Sequence, residues 1–234
     1  MRLAVVYKAA YSVVDAIFDL ATIYYLLYFV KIDANIISYL HLILAGIYLL
    51  ILPLVDKMAF KMGKNRQQMI TFIVASVVIM TVFLLCRKHP FLGVIIVLGQ
   101  GCQQASFWQL SNALYYDVVE VGEYRFGTRQ EGEIGSFMSV LGTAVTAITV
   151  AIFGVLFDAV GYNGALPVQP DSVATFLWVV YAPVTVFFSL VAAKALHIFP
   201  INRKSHEFLK SAIVKKRHGE ELTVKEAEAV GKMV

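Results

Sequence analysis

Charge is scarce in this chain. Asp, Glu, Lys and Arg together make up 15% of its 234 residues, where a soluble domain carries about a quarter. That shortage excludes an ordinary water-soluble fold. Cysteine is scarcer still. Cys86 and Cys102 both fall inside apolar stretches, which excludes a disulfide framework and leaves a cysteine metal centre short of ligands. No glycine loop is spaced to cradle phosphate. No nucleophile stands in a histidine pairing, and no ligand cluster has metal spacing. An enzyme, a cofactor and a metal are therefore not expected. Strict alternation of apolar and polar residues is also missing, which argues against a membrane β-barrel. The first apolar run is interrupted by Asp15 and Asp19 and lacks a small-residue cleavage site, so it is not a cleavable signal peptide. Internal repeats and low-complexity tracts are absent.

Apolar residues are abundant, at 59%, and the mean hydropathy is +0.72. About 20 apolar residues cross a bilayer as a helix. Six runs meet that length, at 9–30, 36–55, 68–86, 91–116, 134–160 and 173–199. The expected fold class is an all-α membrane protein with six transmembrane helices. Residues 1–8 precede the bundle, 9–199 form it, and 200–234 make a polar tail. Six spans put both termini on one side. That side collects 17 of the 20 Lys and Arg, and the opposite side holds only Lys31, Arg87 and Lys88. The positive-inside rule then places both termini in the cytoplasm and the protein in the inner membrane as a multi-pass protein. The same distribution explains the net charge of +4 without a nucleic-acid partner.

The spacing predicts a basic cytoplasmic loop over 55–67 and a mixed-charge cytoplasmic loop over 117–133. An outer turn is expected over 161–171, with Pro167 and Pro170. In the tail, 205–217 reads as an amphipathic helix ended by Gly219. Thr223 and Glu226 read as a capping box for a last short helix. Pro183 is expected to kink the sixth span.

The fourth span is the polar one. Gln100, Gln104, Trp108, Ser111 and Tyr115 recur at helical spacing, and Gln103, Gln109 and Asn112 lie beside them. A lipid-facing helix does not tolerate such a row. It either lines a watery cavity or hydrogen-bonds neighbouring helices. An indole flanked by amides suits a sugar: the ring stacks on the pyranose and the amides pair with hydroxyls. Asp15 and Asp19 lie four apart on the first span and point one way. Carboxylates at that depth face a pathway or a partner, and a coupling ion, Na⁺ or H⁺, is one reading of the pair. His41 reads as a packing residue. Thr143, Thr146 and Thr149 can bond back to their own helix.

Two glycine-punctuated segments then carry a resemblance. The pattern Asp117-x-x-Glu120-x-Gly122-Glu123-x-x-x-Gly127-x-Arg129-x-Glu131-Gly132, with Phe107-Trp108 upstream and Gly161-Tyr162 downstream, resembles the glycoside–pentoside–hexuronide:cation symporters, the melibiose-carrier branch of the major facilitator superfamily. The resemblance covers residues 5–210 and lies with the C-terminal half of that family. Asp56-Lys57 followed by Lys61, Gly63, Lys64 and Arg66 faintly resembles the superfamily's acidic-then-basic loop. The resemblance implies half of a twelve-helix fold, with a small sugar bound between two six-helix halves and alternating access by rocking. It implies that Trp108, Ser139 and Thr143 face the substrate, beside Gln104 and Ser111, which the helical spacing puts on the face of Trp108. It further implies that Asp117, Glu120, Glu123, Arg125, Arg129 and Glu131 pair at a cytoplasmic gate.

The departures bear on function. Some relatives carry a lysine on the fifth helix of this half, where Thr143 stands here. The family's acidic cation ligands belong to the other half. The partners expected are therefore the lipid bilayer and either an N-terminal half or a second copy of this chain. The expected function is the C-terminal half of a sugar or glycoside transporter, present as part of a longer gene or as a separately made subunit. A homodimeric half-size transporter and a non-transporting membrane scaffold or regulator are the alternatives. In a homodimer, the ion site would have to come from Asp15 and Asp19.

Overall fold

In the computed structural model the chain is helical throughout its ordered elements. The structure describes residues 1–218 except 167 and 202, together with 220, 222, 223, 227 and 231. Seven long helices and one short 3-10 turn, Pro90–Leu92, are present among them. α1 spans Arg2–Val30 and α2 Ala34–Met62. α3 spans Lys64–Cys86, α4 Gly93–Phe126 and α5 Glu131–Ala159. α6 spans Asp171–Ile198, and α7 covers Arg203–His218 in the tail.

The first six helices are the expected bundle. By length and apolarity α1, α2, α3, α5 and α6 each suffice to cross a membrane. α4 is long enough at 34 residues, but its amides and hydroxyls make it less apolar than the others. The protein is a multi-pass, all-α membrane protein. α1 packs against α4, α5 and the second half of α6, while α3 packs against α2, α4 and α6. Tyr11 stacks between Phe72 of α3 and Phe107 of α4, at ring-centroid distances of 4.9 and 4.2 Å. α2 and α5 lie at the periphery and turn Leu42, Leu50, Val140 and Val155 outward. In water such faces would be untenable. Against lipid or another apolar helix they are ordinary.

Two expected loops turn out to be helix. The proposed 55–67 loop shrinks to Gly63, whose φ of 89° is open to glycine but strained for other residues. α2 runs to Met62 and α3 starts at Lys64, because the long basic side chains there can reach the interface from helical backbone. Likewise 117–126 continues α4, and only 127–130 leaves the helix. Charge density marked these residues as wet, but an α-helix satisfies its own backbone in water as well as in lipid. Gly127, at φ 76°, closes α4 by donating its N–H to the Glu123 carbonyl at 2.8 Å. α1 begins at Arg2, seven residues before the expected start, and buries Ala4 and Tyr7.

Pro183 stands inside α6. It lies in a π-helical turn, Val180–Val184, which accommodates the missing N–H. α1 has a matching π turn at Tyr25–Val30. The two turns meet, with Tyr25 stacked on Tyr181 at 4.4 Å. The tail helix matches expectation and extends by one or two residues at each end. Pro167, Gly219 and Glu226, and with Glu226 the capping box, lie outside the described residues.

α2 approaches α4 closely at one glycine. A Cβ on Gly101 would overlap the Tyr48 ring, whereas one on Gly46 would meet nothing within 4 Å. Overpacking of this kind costs about 1–3 kcal/mol. Gly101→Ala should therefore lower the melting temperature of the detergent-solubilised chain, with Gly46→Ala unchanged. Equal melting of both variants would remove this contact from the packing account.

Candidate functional site

The polar row of α4 divides into two sets once the neighbouring helices are in place. The first set is interior. Gln100 donates from Nε2 to the Tyr181 carbonyl and to Thr185 Oγ1 on α6, the latter at 2.8 Å. Gln103 donates to Ser76 Oγ at 3.3 Å and to the Phe72 carbonyl at 3.2 Å, and accepts from Ser189 Oγ at 2.8 Å. Ser106 donates to Gln67 Oε1 at 3.1 Å. These groups hold α4 to α3 and α6, and every bond replaces one that lipid could not offer.

The second set faces an open surface beside α1. Gln104 donates from Nε2 to Asp15 Oδ1 at 2.9 Å and to Asp19 Oδ1 at 3.1 Å. Trp108 donates from Nε1 to Asp15 Oδ1 at 3.3 Å. One helical turn separates the two carboxylates on α1 and one turn separates Gln104 from Trp108 on α4, so the pairs meet in register. Trp108 nevertheless remains 56% exposed. Its ring is therefore available on the same face that the acids occupy. Lys8, two turns before Asp15, places its ammonium 5.1, 5.6 and 6.0 Å from the ring centroids of Phe107, Trp108 and Tyr115. Gly142 of α5 makes the room, since a Cβ there would lie 2.7 Å from Lys8 Cε. The surface thus combines two acids, an ammonium, an amide and an indole. Such a set can hold a cation and stack a sugar ring.

The other residues expected to face substrate are placed differently from one another. Ser111 is buried beside Tyr115. Ser139 and Thr143 stand exposed on α5 and make no hydrogen bond among the described residues. Thr149 bonds its own helix at the Val145 carbonyl, 2.8 Å away, and His41 does so at the Ile37 carbonyl, 2.9 Å away. Cys86 and Cys102 are free thiols.

A charged network occupies the end of the bundle where α3 starts and α4 finishes. Asp117 is 1% exposed, and the Lys64 ammonium lies 2.6 Å from its Oδ1. Lys64 also donates to the Ala113 carbonyl at 2.6 Å. His206 of the tail helix brings Nε2 to 2.6 Å from Glu120 Oε2 and 3.2 Å from Asp117 Oδ1. A turn further along, Arg129 donates to Glu131 at 3.0 Å and lies 3.7 Å from Glu123. The bonded Glu131 carboxylate raises the pKa of the Arg129 guanidinium further, so it stays cationic at every physiological pH. Arg125 instead lies over the Phe126 ring at 5.5 Å. Asp117, Glu120 and His206 hold their donor atoms within 4.8 Å of one another, close enough to hold a metal ion. The Lys64 ammonium already supplies positive charge there, so an ion-pair network explains the cluster.

The sequence alone does not single out Lys64 or His206 as members of these sites. Each stands far along the chain from its partners: Lys64 is 53 residues before Asp117. Lys8 is signalled by its place two turns before Asp15, near the start of the first span.

Comparison with known proteins fits this architecture. A family model described as MFS/sugar transport protein matches residues 2–203. The chain belongs to that family of membrane sugar-transport proteins. It is also 30% identical over 95 residues to an uncharacterized symporter of Synechocystis sp., a match covering 38% of this chain and 18% of that protein. The matched segment is thus well under two thirds of that relative's length. No solved structure matches.

Lys64 offers a direct test of the charged network. Lys64→Met leaves Asp117 buried without its cation, which costs about 3 kcal/mol. Adding Asp117→Leu should recover most of the lost thermal stability. A double variant as unstable as the sum of the two singles would show that the groups do not interact.

Proposed function

We propose that this chain is one six-helix half of a sugar transporter, working by alternating access with a second half that completes the cavity. The observation that carries the proposal is the convergence of Asp15, Asp19, Gln104 and Trp108 on one surface, with the indole still exposed. An acidic pair bonded to the same amide and indole that would receive a sugar couples the two ligands physically. A cation that neutralises Asp15 alters the hydrogen bonds of Gln104 and Trp108, and hence the sugar surface. This favours cation-coupled uptake, with Na⁺ or H⁺ as the driving ion. The partner presents a complementary polar face to α4 and apolar faces to α2 and α5. Ser139 and Thr143 add hydroxyls from α5.

The charged network at the ends of α3 and α4 is the gate in this reading. Asp117 and Lys64 anchor α3 to α4, while Arg129 and Glu131 form an exposed pair that the other half can exchange, and Glu123 backs Arg129 from a buried position. Gate pairs need to break in each cycle, so exposed pairs of small net worth suit the task better than buried ones.

Two outcomes are expected. In the complete transporter, Trp108→Ala should weaken sugar binding about tenfold, while Trp108→Phe keeps most of it, because stacking needs a ring. Equal binding by all three forms would assign Trp108 to packing. Arg129→Ala should reduce accumulation of labelled sugar at an unchanged membrane level. Undiminished accumulation would remove Arg129 from the gate.

A further inference from the structure

A second feature lies at the turn between α2 and α3, outside the sugar surface. A cavity of about 800 Å³ opens there. Phe60, Met69, Leu196 and Phe199 form apolar walls, and Lys64 and Arg66 stand among its polar lining. Two properties of the lining bear on its occupant. The first is position. The cavity lies at the ends of apolar spans, where Phe60 is itself largely exposed, so its walls continue onto the surface that meets acyl chains.

The second is charge. Asp117 is the carboxylate on this lining, and Lys64 engages it at 2.6 Å. Arg66 has no ion-pair partner among the described residues. The same holds for Lys57 and Lys61 on the last turns of α2, whose neighbours Ala59, Phe60 and Met62 line the cavity. Basic side chains gathered around an apolar cavity, with the local acid already neutralised, complement an anion that carries a hydrocarbon tail. Sugar fits poorly, because the lining holds no indole and its amide, Asn65, already donates to the Ile201 carbonyl.

We propose that this cavity is a seat for one anionic phospholipid, with the headgroup phosphate on Arg66 and an acyl chain along Phe60 and Met69. Gly63 shapes the seat. Its positive φ turns the chain sharply, so that the ends of α2 and α3 form adjacent walls. The site is independent of the sugar reading and would stand if that reading failed.

The test uses the full chain, purified from mixed micelles with equal phosphatidylglycerol and phosphatidylcholine, and native mass spectrometry of retained lipid. The wild type should keep one phosphatidylglycerol in about fivefold preference, the effect of roughly one basic contact at a membrane surface. Arg66→Gln should bring that preference close to unity. Ala59→Trp, which fills the cavity and leaves every charge in place, should abolish retention. Lys88→Gln, at the far end of α3, should change nothing. Equal retention of both lipids by the wild type would overturn the proposal. So would a preference surviving both Arg66→Gln and Ala59→Trp, which is the result of diffuse attraction to a basic surface. Displacement by free glycerol 3-phosphate would overturn the lipid as occupant. Arg66 is exposed, so its variant should fold and decide the question even if Ala59→Trp does not.

Discussion

Each polar group in a membrane helix needs a partner inside the protein, and α4 is where this chain meets that constraint. Gln100, Gln103 and Ser106 bind α3 and α6, and Gln104 and Trp108 bind α1. The remaining helices are arranged around that requirement. α1, α3 and α6 crowd against α4 or one another and carry most of the buried side chains. α2 and α5 need no polar partner over most of their length and sit outside. An interior amide that lost its partner would leave a donor in hydrocarbon, at a cost of several kcal/mol. Polar pairing fixes which helices are neighbours here, because apolar attraction between helices is weak when the solvent is also apolar.

The same helix carries both kinds of bond, and this shapes the functional surface. Interior amides anchor α4. Amides one position away are then presented to the acids of α1 on a rigid support. Asp15 and Asp19 gain neutral donors from α4 and an ammonium from Lys8 nearby. Two carboxylates next to one fixed cation leave a surface one positive charge short.

Much of this is readable in the sequence, and the limits have physical causes. The six spans and their order follow from apolar run length, which the bilayer sets. The polar face of α4 and the acid pair on α1 follow from helical spacing. Their meeting does not, because nothing local says which helix of six will face which. The charge-rich 117–126 segment reads as loop yet folds as helix, since charge reports contact with water, not backbone conformation. Gly63 and Gly127 are the true punctuation. The roles of His206 and Lys64 are hidden because a single basic residue in a basic segment carries no pattern. They appear only when α3 and the tail helix pack against α4. The polar row itself mixes two functions that spacing cannot separate, and only burial distinguishes Gln100 from Gln104.

The one-residue turn at Gly63 has a practical side. A connection of that length has no slack, so α2 and α3 behave as one bent rod at this end of the molecule. A reporter tag, cleavage site or bulky label inserted there would pry apart the walls of the cavity and pull Lys64 from Asp117. Membrane orientation is better mapped from the longer connection between α5 and α6, at positions clear of Tyr162, whose ring packs on Tyr24 and Phe157.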